Sequence, residues 1–158
     1  RIEKKELDQF IDENTKFDIV IMIAVIEHLA NPDEYIKNIN KVLEEDGIIY
    51  IDCPQEPNIV TILYSLVMKI LRKKQCLNLQ PTWQPYHLFG FNRKSIKKIL
   101  NKYDFKILNI SIWSPPKPSF KVNKKNFLIY LTIFLINIFG NLISLSQNMF
   151  VYARKINK

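Results

Sequence analysis

The residues best suited to chemistry are the pair Glu27-His28 and a second histidine, His87. The chain contains 2 histidines, so these two are all of them. A histidine has an unperturbed pKa of about 6.5, which suits it to accept or donate a proton near neutral pH. The carboxylate of Glu27 could share in the same kind of step. These residue types could therefore serve as a general acid or base.

The same residues also have a structural interpretation. Glu27 and His28 could lie in a buried turn at a helix entry, the imidazole bonded to backbone and the carboxylate in a structural hydrogen bond. His87 could be a loop histidine packed among aromatic neighbours, namely Trp83, Tyr86 and Phe89. The sequence leaves both interpretations open.

A metal centre is not indicated by the spacing of the candidate ligands. Glu27, His28, Asp52 and His87 follow no recognisable ligand pattern, so we predict no metal site. Cys53 ends an apolar run and is expected to be a small core residue. Two thiols in a chain whose start shows no secretory leader favour a reduced, cytoplasmic setting.

A strand, a helix and a second strand must position the Glu27-His28 pair. Residues 17–24 (FDIVIMIA) form an apolar run typical of a strand buried on both faces of a parallel sheet. Asn31 and Pro32 are the cap and first residue of a helix, and Gly47 is expected to stop it. Residues 48–53 (IIYIDC) then predict the second strand, which completes a βαβ unit.

Further elements follow along the chain. The patterns predict a helix over 59–71, an aromatic loop over 75–90, a helix capped by Asn92, a strand over 105–113, a linker over 114–125, an apolar segment over 127–145 and a last strand over 148–155. A chain of 158 residues is long enough to bury the core of one domain. The formal net charge of +8 comes from scattered lysines without Arg-rich clusters, so we expect no nucleic-acid partner.

Three segments carry a family resemblance. FDIV (17–20) running into VIEHL (25–29) matches the family's fourth strand and the Leu-Glu-His turn that follows it. VLEEDGIIYI (42–51) matches the end of the family's next helix and its fifth strand. HLFGF (87–91), with Ser95-Ile96 and Asp104-Phe105, matches a later helix entry and strand. In this order they resemble the C-terminal half of class I S-adenosylmethionine-dependent methyltransferases. Asp46 and Asp104 stand at helix ends where a left-handed residue is common, a conformation that Asp tolerates.

The resemblance implies an α/β fold, a partial Rossmann-like methyltransferase sheet. The fourth, fifth, seventh and sixth family strands would lie in that spatial order, the final strand antiparallel. Residues 1–158 would be the C-terminal portion of the domain, with an apolar helical insert at about 126–146. The family's glycine-rich turn, and the acidic residue about 20 positions after it, have no counterpart in this sequence and are expected upstream of Arg1.

The resemblance also implies a site and an activity. The methionine end of S-adenosylmethionine would lie beside the turn formed by Ala24, Val25 and Ile26, with Glu27, His28 or His87 taking a proton from the acceptor. The acceptor would be a small molecule or a lipid- or saccharide-linked group, methylated at oxygen rather than carbon or nitrogen. Residues 1–158 are expected to be inactive on their own.

Two apolar segments bear on membranes. Residues 127–145 carry no charge, but the chain that follows them must return to the sheet as its last strand. This favours buried or membrane-surface helices over a helix that crosses the membrane. With residues 59–71 and the basic run Arg72-Lys73-Lys74, they suit peripheral contact with anionic lipid. Core helices over a sheet are the other interpretation. For the whole protein, the alternative to an enzyme is a non-catalytic membrane-associated scaffold with a degenerate methyltransferase half-domain.

Overall fold

The computed structural model describes residues 4–74, 77, 79, 86–117 and 121–156. The elements in chain order are α1 (Leu7–Asp12), β1 (Phe17–Ile23), a 3-10 turn (Ile26–His28), α2 (Pro32–Val42), β2 (Leu43–Pro54), α3 (Ile59–Ile70), α4 (Arg93–Lys102), β3 (Phe105–Trp113), α5 (Phe127–Leu142) and β4 (Asn148–Lys155). The predicted strands over 105–113 and 148–155 are confirmed, as is the helix start at Pro32.

The four strands form one sheet in the order β1-β2-β4-β3. β1 pairs with β2 in parallel, and β4 lies antiparallel between β2 and β3. This is the strand order and the antiparallel last strand that the resemblance implied. The prediction of an α/β, partial Rossmann-like sheet is therefore confirmed.

The main core lies on the sheet face that α2 and α4 cover. Asn31 caps α2 by accepting a hydrogen bond from the backbone N–H of Glu34, and Asn92 caps α4 in the same way from the N–H of Lys94 and Ser95. These caps fix where each helix begins and so which of its faces meets the sheet. Fully buried side chains fill the space between helices and strands: Ile36, Ile39, Ile96, Leu100, Ile49, Ile51, Phe105 and Val151.

The prediction that the first strand is buried on both faces is wrong. Met22 belongs to the core, but the alternate side chains Ile19, Ile21 and Ile23 are exposed, Ile21 to 62%. Successive strand residues point to opposite faces, so one face of β1 meets the core. Within the described part of the chain no element covers the other face at this edge of the sheet.

The junction of α2 and β2 also differs from the prediction. Gly47 does not stop the helix, which ends at Val42; Leu43 is already extended and pairs with Phe17. The extended Leu43 is completely buried in the core, and regular pairing of β2 with β1 resumes only at Ile48. Asp46 adopts a left-handed φ of 61° and Asp104 one of 58°, as expected for these positions.

Candidate active site

The turn after β1 lies at the carboxyl end of the parallel strand pair. Ala24 is exposed and takes a left-handed φ of 50°, and its N–H donates to the carbonyl of Asp52 on β2 at 2.9 Å. Val25 is half-buried, and the side chain of Ile26 is fully buried in the core. Ile26 therefore exposes neither its side chain nor its backbone to a ligand in this structure. In open α/β sheets, ligands bind beyond the carboxyl ends of the strands.

A loop 60 residues downstream is bonded to this turn by its backbone. The N–H groups of Leu88 and Phe89 both donate to the carbonyl of Glu27, at 2.9 and 3.2 Å. The loop then continues to the end of β2, where the N–H of Glu56 donates to the carbonyl of Phe91 at 2.7 Å. These bonds hold the segment that carries His87 against the segment that carries His28.

Gly90 permits this close approach. A Cβ atom at Gly90 would lie 2.7 Å from the Cβ of Glu56, closer than real Cβ contacts allow. Glu56 Cβ is next to the backbone and cannot swing away as the tip of a long side chain could. A larger residue at Gly90 would therefore push the loop that carries His87 away from Glu56 at the end of β2.

The structure brings Glu27, His28 and His87 together. The two imidazole rings lie with their centroids 4.7 Å apart, and His28 Nε2 is 3.8 Å from Glu27 Oε1. His28 Nδ1 lies 3.4 Å from the carbonyl oxygen of Tyr86, and the His28 side chain is 33% exposed. One ligand atom from each of the three residues falls within 4.8 Å of the others. We refer to these three residues as the Glu-His-His cluster.

The Glu27 carboxylate is the unusual member of the cluster. Glu27 is 2% exposed, and neither carboxylate oxygen has a hydrogen-bond partner among the described residues. Buried polar atoms are normally paired, because an unpaired one loses its hydration without compensation. Within the described ranges, the Glu27 carboxylate thus does not form the structural hydrogen bond considered for it, whereas the backbone contact considered for His28 is present.

The neighbouring polar residues of β2 lie outside the cluster. Burial raises the pKa of the Asp52 carboxyl, whose side chain shares the exposed face of the sheet with Ile23. Burial, and then the charges of Glu27 and Asp52, raise the pKa of Cys53 to about 12. Cys53 is 2% exposed, so its prediction as a small core residue is confirmed. Trp83, considered as a packing partner of His87, and Cys76 lie outside the described residues.

Sequence analysis did not identify Gly90 or the carbonyl of Tyr86 as parts of this site. Gly90 had one available signal, since it is one of 3 glycines in the whole chain and stands in an aromatic loop. The Tyr86 carbonyl had none, because a backbone group leaves no mark in the side-chain pattern.

The strand order defines a Rossmann-like α/β domain, and the polar cluster beyond β1 is a candidate site at the carboxyl end of its parallel strands. The methyltransferase domain family matches residues 1–110, which is more than half of the chain, and the protein belongs to this family.

Solved structures share the fold at low sequence identity. One is a SAM-dependent methyltransferase from Archaeoglobus fulgidus, with 15% identity and a TM-score of 0.57 over 97% of this chain and 66% of that one. Another is magnesium protoporphyrin IX methyltransferase from Synechocystis PCC 6803 with bound SAH, with 12% identity and a TM-score of 0.53 over 96% of this chain and 49% of that one. The chain therefore spans about half to two thirds of the length of these structures. A search of curated proteins finds no match.

Proposed function

We propose that the protein transfers the methyl group of S-adenosylmethionine to an oxygen of a small-molecule or lipid-linked acceptor. The observation that carries the proposal is the convergence of Glu27, His28 and His87 beyond the carboxyl end of β1 in a chain of the methyltransferase family. Family membership supports the reaction class. The cluster supports an acceptor whose hydroxyl proton must be removed.

The turn over residues 24–26 suits the cofactor. Ala24 is exposed and Val25 half-buried at the strand end, where a ligand binds in this kind of sheet. Asp52 places a partly desolvated carboxylate on the same side of the sheet, where it complements a positively charged ligand. When bound, S-adenosylmethionine supplies an electrophilic methyl group on a cationic sulfur.

The cluster would act on the acceptor. His28 is partly exposed, so its imidazole can reach a substrate hydroxyl and take the proton as the oxygen–methyl bond forms and the sulfur–methyl bond breaks. The hydrogen bond from Nδ1 to the carbonyl of Tyr86 would leave Nε2 as the basic atom. His87 lies on the loop, with its ring beside that of His28, and would orient the acceptor. Positioning of nucleophile and methyl group within about 3–3.5 Å supplies much of the acceleration in such a displacement.

Helix α5 supports a lipid-linked acceptor, because its polar side faces the protein and its apolar side faces outward. Asn137 is 6% exposed and donates to the carbonyl of Pro115, and Asn141 exchanges hydrogen bonds with the backbone of Ser114. Leu128 and Leu142 are 75% and 76% exposed. A helix on a water-facing surface normally has the opposite arrangement.

Helix α3 repeats this arrangement beside α5. Its buried residue is Thr61, while its outward residues are large and apolar: Leu63, Leu66, Val67 and Ile70. Exposed basic residues follow α3 and precede α5, namely Arg72, Lys73, Lys74, Lys121, Lys124 and Lys125. Apolar faces with basic flanks bind anionic membrane surfaces. Among the described residues, no helix has both the length and the apolar character needed to cross a bilayer.

The reaction is tested by incubating the product of the complete reading frame with tritium-methyl S-adenosylmethionine and host-cell extract separated into lipid and aqueous fractions. We expect label in the lipid fraction, released as methyl iodide by hydriodic acid because the methyl group is on oxygen. Label confined to the aqueous fraction would contradict a lipid-linked acceptor, and label that resists hydriodic acid would contradict transfer to oxygen. Absence of label from both would favour the scaffold alternative.

Membrane contact is tested by flotation with liposomes of neutral or anionic lipid. We expect binding to anionic vesicles that weakens at high salt and is lost in the double variant Leu128→Glu, Leu142→Glu. Leu108→Glu is the matched control, since it makes the same exchange at an exposed leucine on β3. Equal loss of binding in the control would show that α5 is not the contacting surface.

A further inference from the structure

We propose that Glu27, His28 and His87 form a binding site for one divalent transition-metal ion. This departs from the expectation of no metal site, which rested on spacing along the sequence. It does not depend on the proposed methyl transfer: with an ion bound, Nε2 of His28 would be a ligand rather than the base, and the ion would lower the pKa of an acceptor hydroxyl bound to it.

The three side chains supply a suitable set of ligands in a suitable place. Two imidazoles and one carboxylate are ligands that Zn²⁺ and similar ions prefer. Ligands about 2.1 Å from a tetrahedral ion are separated from one another by about 3.4 Å. The three ligand atoms already lie within 4.8 Å of each other, and His28 Nε2 is 3.8 Å from Glu27 Oε1. Small side-chain rotations would bring them to an ion.

The buried carboxylate independently points to a ligand. Both oxygens of Glu27 lack a hydrogen-bond partner within the described ranges, although the residue is 2% exposed. An ion bound between the carboxylate and the imidazoles would supply the missing partner.

The surroundings of His28 match those of a metal-bound histidine. Such histidines usually donate their second ring N–H to a carbonyl or carboxylate, which fixes the tautomer. Nδ1 of His28 faces the carbonyl of Tyr86 at 3.4 Å, which leaves Nε2 for the ion. The backbone bonds from Leu88 and Phe89 to the carbonyl of Glu27 hold the two ligand-bearing segments in register. The partial exposure of His28 leaves room for water or a substrate oxygen as a fourth ligand.

The test is metal binding by the tag-free chain, measured by calorimetry with Zn²⁺ and by visible absorption with Co²⁺, without S-adenosylmethionine. We expect one ion per chain with micromolar or tighter affinity, and ligand-field bands typical of four- or five-coordinate Co²⁺. Glu27→Gln, His28→Ala and His87→Ala should each weaken binding by about 100-fold or more. Glu45→Gln, which neutralises an exposed carboxylate, should leave binding unchanged.

Each variant is first checked for folding by circular dichroism, and His28→Gln replaces His28→Ala if the latter unfolds. No binding of either ion up to millimolar concentration would overturn the proposal. Binding that survives Glu27→Gln, or that falls equally in Glu45→Gln, would also overturn it. Because S-adenosylmethionine is absent, failure in this experiment leaves the methyl-transfer test unaffected.

Discussion

The orientation of α5 makes an unusual prediction, that a polar residue stabilises the fold more than the leucine beside it. Asn141→Ala removes the acceptor of the Ser114 N–H, at 3.0 Å, and the donor to the Ser114 carbonyl, at 2.9 Å. It also removes a hydrogen bond from the hydroxyl of Ser146. Ser114 is buried, so its backbone groups would be left without partners.

The magnitude follows from these contacts. Each buried group left unpaired costs about 1–3 kcal/mol. Alanine is a better helix former than asparagine by roughly 0.5 kcal/mol, which offsets part of the loss. Water can reach the half-buried Asn141 site, so we expect a net loss of about 2–3 kcal/mol. Leu142→Ala changes a side chain that is 76% exposed and should alter the stability by no more than about 0.5 kcal/mol.

The assay is urea unfolding of the two variants and the parent chain, followed by circular dichroism. Asn141→Asp is the matched control, because it keeps the acceptor and loses the donor, and it should fall between Asn141→Ala and the parent. If α5 instead packed its leucines inward, Leu142→Ala would cost about 2–5 kcal/mol and Asn141→Ala almost nothing. That reversed order would refute the orientation and, with it, the outward apolar surface.

Three further predictions concern the site and its surroundings. Gly90→Ala should weaken both metal binding and methyl transfer, because the new Cβ meets Glu56 and displaces the loop of His87; unchanged function would show that the loop tolerates the shift. Cys53 should react with iodoacetamide at pH 8 about 1,000-fold more slowly in the folded than in the unfolded chain, because burial raises its pKa from 9.0 to about 12 and the thiolate is the reactive form. Peptide mapping by mass spectrometry measures the labelling rate, and equal rates in the two states would contradict the raised pKa. Burial raises the pKa of Asp52 in the folded chain above its ordinary value of 3.8. Between the unfolded-state pKa and this raised pKa the folded state binds more protons than the unfolded state, so the free energy of unfolding falls as the pH rises through that range. Asp52→Asn should therefore be more stable than the parent at pH 7 in thermal unfolding and lose that advantage below about pH 3.8; equal stability at both pH values would contradict the shift.

The fold was predictable where local signals agree with the tertiary structure. Asn31 with Pro32, and Asn92, are capping signals that depend on a few neighbouring residues, and both helices begin where these signals predict. The strand order could not come from local signals and was predicted through the family resemblance, which the sheet confirms.

The errors arise where the apolar pattern does not reveal which face is covered. The run over residues 17–24 is apolar on both faces, yet one face of β1 is exposed. Helix α5 is apolar nearly all round, so the sequence pattern does not show which of its sides faces the protein. In the structure Asn137 and Asn141 form the inward side, since they bond to the backbone that precedes the helix.

The candidate site was predictable as residue types but not as a geometry. Glu27, His28 and His87 were singled out by chemistry and by resemblance, and their roles stay predictions. The meeting of His28 with His87 depends on backbone hydrogen bonds to the carbonyl of Glu27 and on the missing side chain of Gly90. A contact across 59 positions that is held by backbone groups leaves no spacing pattern in the sequence.

The central claim is that the Glu-His-His cluster acts on the methyl acceptor, and separate measurement of kcat and of KM for S-adenosylmethionine tests it most directly. With the product of the complete reading frame, and with unmethylated lipid of the fraction that becomes labelled as acceptor, His28→Ala should lower kcat by about 100-fold or more while KM for the cofactor changes little. Glu45→Gln, the exposed carboxylate variant, should match the parent protein. An unchanged kcat for His28→Ala, accompanied by a lower melting temperature, would contradict the claim and leave His28 a structural residue of the turn.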